Sequence, residues 1–362
     1  MKYTVYLFLV VFSFGAFAQT SMFTNRGSQF NPALGLNAMM LMQDSQVDAE
    51  GDGFALQGVE LQFNSDIDAY FRAQIVIGIH QKEHEHEEGA AEEEEEHGYE
   101  VHPEEAYFET ISIPGITLKG GKFLSQFGKY NMIHLHALPF IYRGVVQKEM
   151  FGHEGFASSG VSGSFFVPVS WFSELTIEAL QPENEKLFEE SHHATVYVAK
   201  LKNLWDLNDS TTLEWGLSGL SYKRASYNDH KEETTSLWGS DFTIKWRPTK
   251  NGRGQSAMWS TEFIHKKREG STENENAGIT SFVRYQLKQR WFAQAQYEYL
   301  GINRSDNEKY THGSSALLGF VPSEFSAIRL QYDIIKEQNK EDEKKISLQF
   351  NVSIGAHPAH TY

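Results

Sequence analysis

Imidazoles and carboxylates recur together at three places in this chain. Residues 81–105 read QKEHEHEEGAAEEEEEHGYEVHPEE, with His84, His86, His97 and His102 set among glutamates. A second group is His134-x-His136, followed later by His153 and Glu154. The third is His357-x-x-His360 in the terminal GAHPAHTY. Imidazole nitrogen with carboxylate oxygen is a donor set for zinc, copper or nickel. The first tract is low in complexity and self-repelling, so disorder is expected. It reads either as a solvated surface loop or as a low-affinity collector of divalent cations. The His134/His136 pair would supply two imidazoles to an ion, or would only hydrogen-bond inside a packed segment; spacing leaves both open. The terminal pair reads best as a polar tail ending at aromatic Tyr362. No G-x-S-x-G or H-E-x-x-H occurs, and Gly120-Gly121 is an isolated pair in a strand. Nothing points to an enzyme, and no cofactor is required. Zinc or another divalent cation enters only as a transported or loosely bound ion.

These groups have to be placed by strands. The final regular segment, KISLQFNVSI, alternates Ile346, Leu348, Phe350, Val352 and Ile354 with Ser347, Gln349, Asn351 and Ser353. A period of two makes it a strand with one apolar and one polar face. About ten residues is the length a tilted strand needs to cross a bilayer. A last strand in lipid must close on the first, because an open edge leaves backbone groups unpaired. The same alternation predicts sixteen strands, beginning at Ala33, with no proline in a strand interior. Every second connection is short (SDID, PG, PVSW, KNLWDLND, PTKNGRG, KQR, VPSE), and the others include the longest and most charged. Short periplasmic turns alternating with longer outer loops are expected of outer-membrane barrels. The fold class is therefore all-β, a transmembrane antiparallel barrel of about sixteen strands, in one domain over residues 19–362.

Residues 128–156, the third outer loop, are too apolar to stand in water; in general porins the corresponding loop folds into the lumen and narrows it, and resemblance to them implies the same here. Residues 80–103 form the histidine- and glutamate-rich outer loop. Inward-facing carboxylates on the alternating strands are Glu60, Glu174, Glu178, Glu214, Asp241, Glu262, Glu298 and Asp333, against Arg72, Lys245, Arg247, Arg284 and Arg329. That excess predicts a lumen mildly favouring cations.

Lys2, the apolar run after it and Ala16-Phe17-Ala18 make residues 1–18 a secretory signal peptide. The chain has 362 residues, no cysteine and a net charge of −16. An acidic excess argues against nucleic acid as a partner. Aromatics at 14% with a mean hydropathy of −0.46 suit a barrel with an aromatic exterior and a polar lumen.

The segments GVELQFNSDIDAYFRAQIVIGIH, EEAYFETISIPGITLKGGKFLSQFGKYNMIHLHALPF, VPVSWFSELTIEAL and IGAHPAHTY resemble a bacterial family of porin-like outer-membrane proteins. Its members are often labelled zinc-regulated TonB-dependent outer-membrane receptors. The resemblance runs from about Asn31 to Gln181 and returns at the C-terminus. It implies an outer-membrane location, with lipid around it, and a link to zinc supply. A passive channel for small solutes, divalent metal ions such as zinc among them, is the leading expectation. An energised receptor, which needs 22 strands and a plug, and a plugged structural or adhesive barrel are the alternatives. Porins of this size are often trimers, and a homotrimer is one assembly compatible with the reading.

Overall fold

The computed structural model describes residues 32–47, 52–81, 98–184, 186–188, 194–224, 233–250, 252, 254–269, 275–302 and 310–355. The expected signal peptide, His84, His86, His97, His357 and His360 lie outside the described residues. Sixteen strands follow in order. They are β1 (Ala33–Ser45), β2 (Gly53–Asp66), β3 (Phe71–Gln81), β4 (Tyr99–Thr110), β5 (Ile116–Leu124), β6 (Ala157–Phe166), β7 (Phe172–Leu180) and β8 (Val196–Asn208). The second half is β9 (Thr211–Arg224), β10 (Glu233–Trp246), β11 (Ser256–Glu269), β12 (Glu275–Lys288), β13 (Trp291–Ile302), β14 (Thr311–Ser323), β15 (Ser326–Glu337) and β16 (Glu343–Gly355). Each is antiparallel to its chain neighbours, and β1 closes the barrel on β16 with Met40 opposite Phe350.

The alternation in the closing strand works as its chemistry requires. Ser347 and Gln349 are fully buried on the inner side, while Ile346 and Ile354 are exposed outside. The exterior carries Tyr197, Trp215, Trp238, Trp259, Trp291 and Tyr297, all exposed. So large an apolar surface is unstable against water and stable against lipid. The inner face is polar and packed, with Glu60, Asp241, Glu262 and Gln349 among its buried residues. We expect Leu217→Arg, in the middle of β9 on the lipid face, to block assembly, since Arg there costs about 2–4 kcal/mol at the midplane. Thr212→Arg, on the inner face at the turn end, should assemble normally. Gel mobility before and after heating reads the folded fraction, and equal yields of the two variants would reverse the faces.

Three expectations are corrected. The connection expected at KNLWDLND is mostly strand, because β8 continues to Asn208 and turns only at Asp209-Ser210. The outer loop expected at 80–103 is shorter, because β3 includes His80 and β4 starts at Tyr99, so His102 is a strand residue. Prolines do enter strands, at Pro103 in β4 and Pro322 in β14. Both sit where the ladder changes register, the place where a missing N–H is tolerated.

Between β5 and β6 the chain turns inward, as its apolar sequence predicts. It makes a 3-10 turn at Leu135–Ala137 and a short helix, α1 (Val145–Phe151). Two apolar clusters fix it to the inner face: Phe127, Val146, Met150, Phe151 and Phe156 against β7–β11, and Tyr130, Phe140 and Ile141 against Phe282, Phe292 and Leu317.

Candidate functional site

A loop inside a barrel brings backbone N–H groups that need acceptors. Here the inward carboxylates supply them. Glu262 accepts from Lys129 N at 2.5 Å and Tyr130 N at 3.4 Å, Glu298 from Val145 N at 3.0 Å, and Glu60 from His136 N at 3.3 Å. Glu178 accepts from Ser125 Oγ at 2.7 Å. The neck is closed by Asn131, which donates to Ser125 O and Phe156 O and accepts from Phe156 N at 2.7 Å. Arg143 laces the loop together by donating to Tyr130 O, Ile133 O and Glu154 O. Burial pushes its pKa down to about 10, and it remains a cation beside Glu104 and Glu60. Other wall residues complete the ring: Arg329 donates to Leu138 O at 2.7 Å and Asn351 to His136 O at 2.8 Å.

Where the loop meets β2, β3 and β4, histidines and glutamates converge. His134 Nδ1 lies 2.9 Å from Glu104 Oε2, and its Nε2 lies 3.1 Å from Glu105 Oε2. His136 Nδ1 is 2.5 Å from Glu60 Oε2. His80 Nε2 is 2.5 Å from the other oxygen of Glu104, and His102 Nε2 is 3.2 Å from Glu154 Oε1. The His80 and His102 rings lie 5.5 Å apart, and those of His134 and His136 6.1 Å apart. Glycines make room, since a Cβ at Gly58 would lie 2.8 Å from His80 Nδ1.

A β-bulge builds the centre of this group. The β3–β4 register steps from Val76 opposite Glu105 to Ile77 opposite Pro103, leaving Glu104 as the extra residue. Successive strand residues ordinarily point to opposite faces; the bulge lets Glu104 and Glu105 both reach His134. Burial alone would lower the pKa of His134, but its hydrogen bonds to Glu104 and Glu105 outweigh burial and raise it well above the ordinary value.

Two donor sets have all their donor atoms within 4.8 Å of one another: His80, His102 and Glu104, and Glu60, Glu104 and His134. Glu104 belongs to both, so they form one centre or two positions sharing a carboxylate. Nitrogen and oxygen donors in these numbers suit zinc, which takes three or four protein ligands. Of the residues singled out in the sequence, His134, His102 and Glu60 (the last read only as an inward-facing carboxylate) enter these sets, while His136 and Glu154 stand beside them. His153 is exposed at the loop's far end. His80, Glu104 and Glu105 were not anticipated. His80 had a signal, since it continues the inward row of β3 through Val76 and Gly78; Glu104 had none, because its inward direction comes from the bulge.

No family model matches the chain. An uncharacterized protein of Aquifex aeolicus (strain VF5) is 27% identical over 357 residues, covering 86% of this chain and 71% of that protein. Among solved structures, the anion-selective porin from Comamonas acidovorans covers 90% of this chain and 99% of its own, with a TM-score of 0.59 at 9% identity. The outer-membrane channel DcaP of Acinetobacter baumannii covers 90% and 96%, with a TM-score of 0.57 at 10% identity. OmpT of Vibrio cholerae in its trimer form covers 90% and 99%, with a TM-score of 0.56 at 8% identity. The fold is that of an outer-membrane porin. With its closed ladder and lipid-compatible exterior, the barrel sits in the bacterial outer membrane.

Proposed function

We propose that this barrel is a passive, non-enzymatic channel for small solutes and that divalent metal ions, zinc first among them, bind where the in-folded loop meets β2–β4. The observation carrying the reading is the convergence of His80, His102, His134, Glu60 and Glu104 in the lumen. The histidine-rich tract joining β3 to β4 springs from the strand ends that carry His80 and His102, which would raise the local supply of cations at this mouth. A trimer belongs to the same reading, since one similar porin is described in a trimer form. Among the described residues, no observation favours energised coupling to TonB.

Metal retained by the folded protein after dialysis tests the site. Wild type should hold about one zinc ion per chain, matching a centre of three to four ligands, and Glu104→Gln should lose it. A wild type holding none, or a Glu104→Gln variant holding as much, would remove the site.

A specific observation supports a second reading, a plugged structural barrel. The loop is bonded to the wall on many sides, and a cavity of only about 30 Å³ lies between it and β12–β13. Conductance separates the two, since a plugged anchor passes no ions.

A further inference from the structure

Most of the eight inward carboxylates seen in the sequence do not line open space. Six of them, Glu60, Glu178, Asp241, Glu262, Glu298 and Asp333, are buried. Four of these bond the in-folded loop directly. Among the five opposing bases named from the sequence, Arg329 is buried and Arg72, Lys245, Arg247 and Arg284 keep access to solvent. The loop therefore engages half of the inward carboxylates, while four of the five bases stay accessible.

Arg72, on β3, is paired with Asp66 at 2.8 Å, whereas Lys245, Arg247 and Arg284 gather at the short-turn end by β10–β12. Register places Lys245 beside Met258 and Met258 beside Arg284, in one row across three strands. On β9 the register sets Glu214 opposite Thr243, two residues before Lys245 on the same inner face. Glu214 is already held by Lys129 at 2.6 Å and Lys202 at 3.9 Å. Lys245 makes no ion pair among the described residues. Beside it opens a recess of about 650 Å³, lined by Lys245 and Arg247, by Asp206 and Asp209, and by Asn208 and the hydroxyls of Ser210, Thr211 and Thr212.

We propose that this recess binds small multivalent oxyanions, phosphate or polycarboxylate, through Lys245 and Arg247 of its lining, with Lys202, beside Glu214, and Arg284, in the same row as Lys245, adding positive charge next to it. Ammonium and guanidinium groups supply charge-assisted hydrogen bonds to such oxygens, and the hydroxyls add neutral ones. A low-dielectric wall around like charges focuses the field on an anion in the lumen. The consequence is an outer membrane channel that draws anions at its turn end, opposite to the selectivity its carboxylate count predicts. The inference is independent of the metal centre, which is built on β2–β4, while the recess is lined by the β8–β9 turn and the end of β10.

The test is titration calorimetry of the folded, detergent-solubilised protein with inorganic phosphate and with citrate. At least one of the two should bind, and Lys245→Gln/Arg284→Gln should weaken it by about tenfold or more, while Lys336→Gln/Lys340→Gln, on the loop side, should not. Heat-modifiable gel mobility equal to wild type shows that the first variant is folded. In bilayers carrying current, a potassium chloride gradient should give an anion-selective reversal potential that Lys202→Glu/Lys245→Glu shifts toward cations. Binding of neither oxyanion, or equal binding by wild type and the Lys245/Arg284 variant, overturns the proposal. So does a cation-selective wild-type reversal potential.

Discussion

Replacing residues 133–140 with a short Gly/Ser link should raise single-channel conductance several-fold. Those residues cross the lumen: Leu138 O and Pro139 O are held by Arg329 and Gln294, and Phe140 packs on Phe282. Removing them leaves the barrel ladder intact, because strand pairing does not pass through the loop. It opens the cross-section that sixteen strands enclose, which is wide enough for an aqueous channel when nothing fills it. Arg143→Met is the milder version. It deletes three bonds to loop carbonyls while keeping the side chain's bulk, so conductance should rise less and become noisy as the loop loosens. If trimming leaves conductance unchanged while the barrel still resists heat, the segment does not constrict the pore.

Zinc at micromolar concentration should reduce wild-type current, and His134→Ala/His136→Ala should remove most of that effect. The pair joins the loop to Glu60, Glu104 and Glu105 on the wall, so an ion held there bridges loop and barrel. The raised pKa of His134 keeps its proton on at neutral pH, and metal must displace that proton. Zinc affinity should therefore fall by about tenfold per unit of acidification while one proton is displaced. The fall should begin above the ordinary histidine value of about 6.5. Deleting 84–97 tests the collector separately: it spares His102 in β4, and should weaken zinc's effect at low concentration without changing pore size. A double-alanine variant blocked as strongly as wild type would move the site away from this loop.

Much of this architecture was legible from local pattern alone. Two-residue periodicity shows which side chains share a face, so the strand number, strand order and the apolar exterior follow from Leu213, Trp215 and Leu217 or from Ile346 to Ile354 without knowing any partner. The inward course of 128–156 follows as well, since a segment so apolar has no stable place in water. What the alternation could not show is what each inward group meets. Glu60, Glu262 and Glu298 read as pore-lining charges, yet they end as acceptors for loop N–H groups more than 70 positions away in sequence. Glu104 lies on the outward parity of its strand by simple counting, and only the register step against Ile77 turns it inward. Pairing register and loop docking are long-range choices, decided by which backbone groups find partners in the closed barrel. For that reason the metal-like cluster and the turn-end recess belong to the tertiary structure, while the barrel that holds them belongs to the sequence.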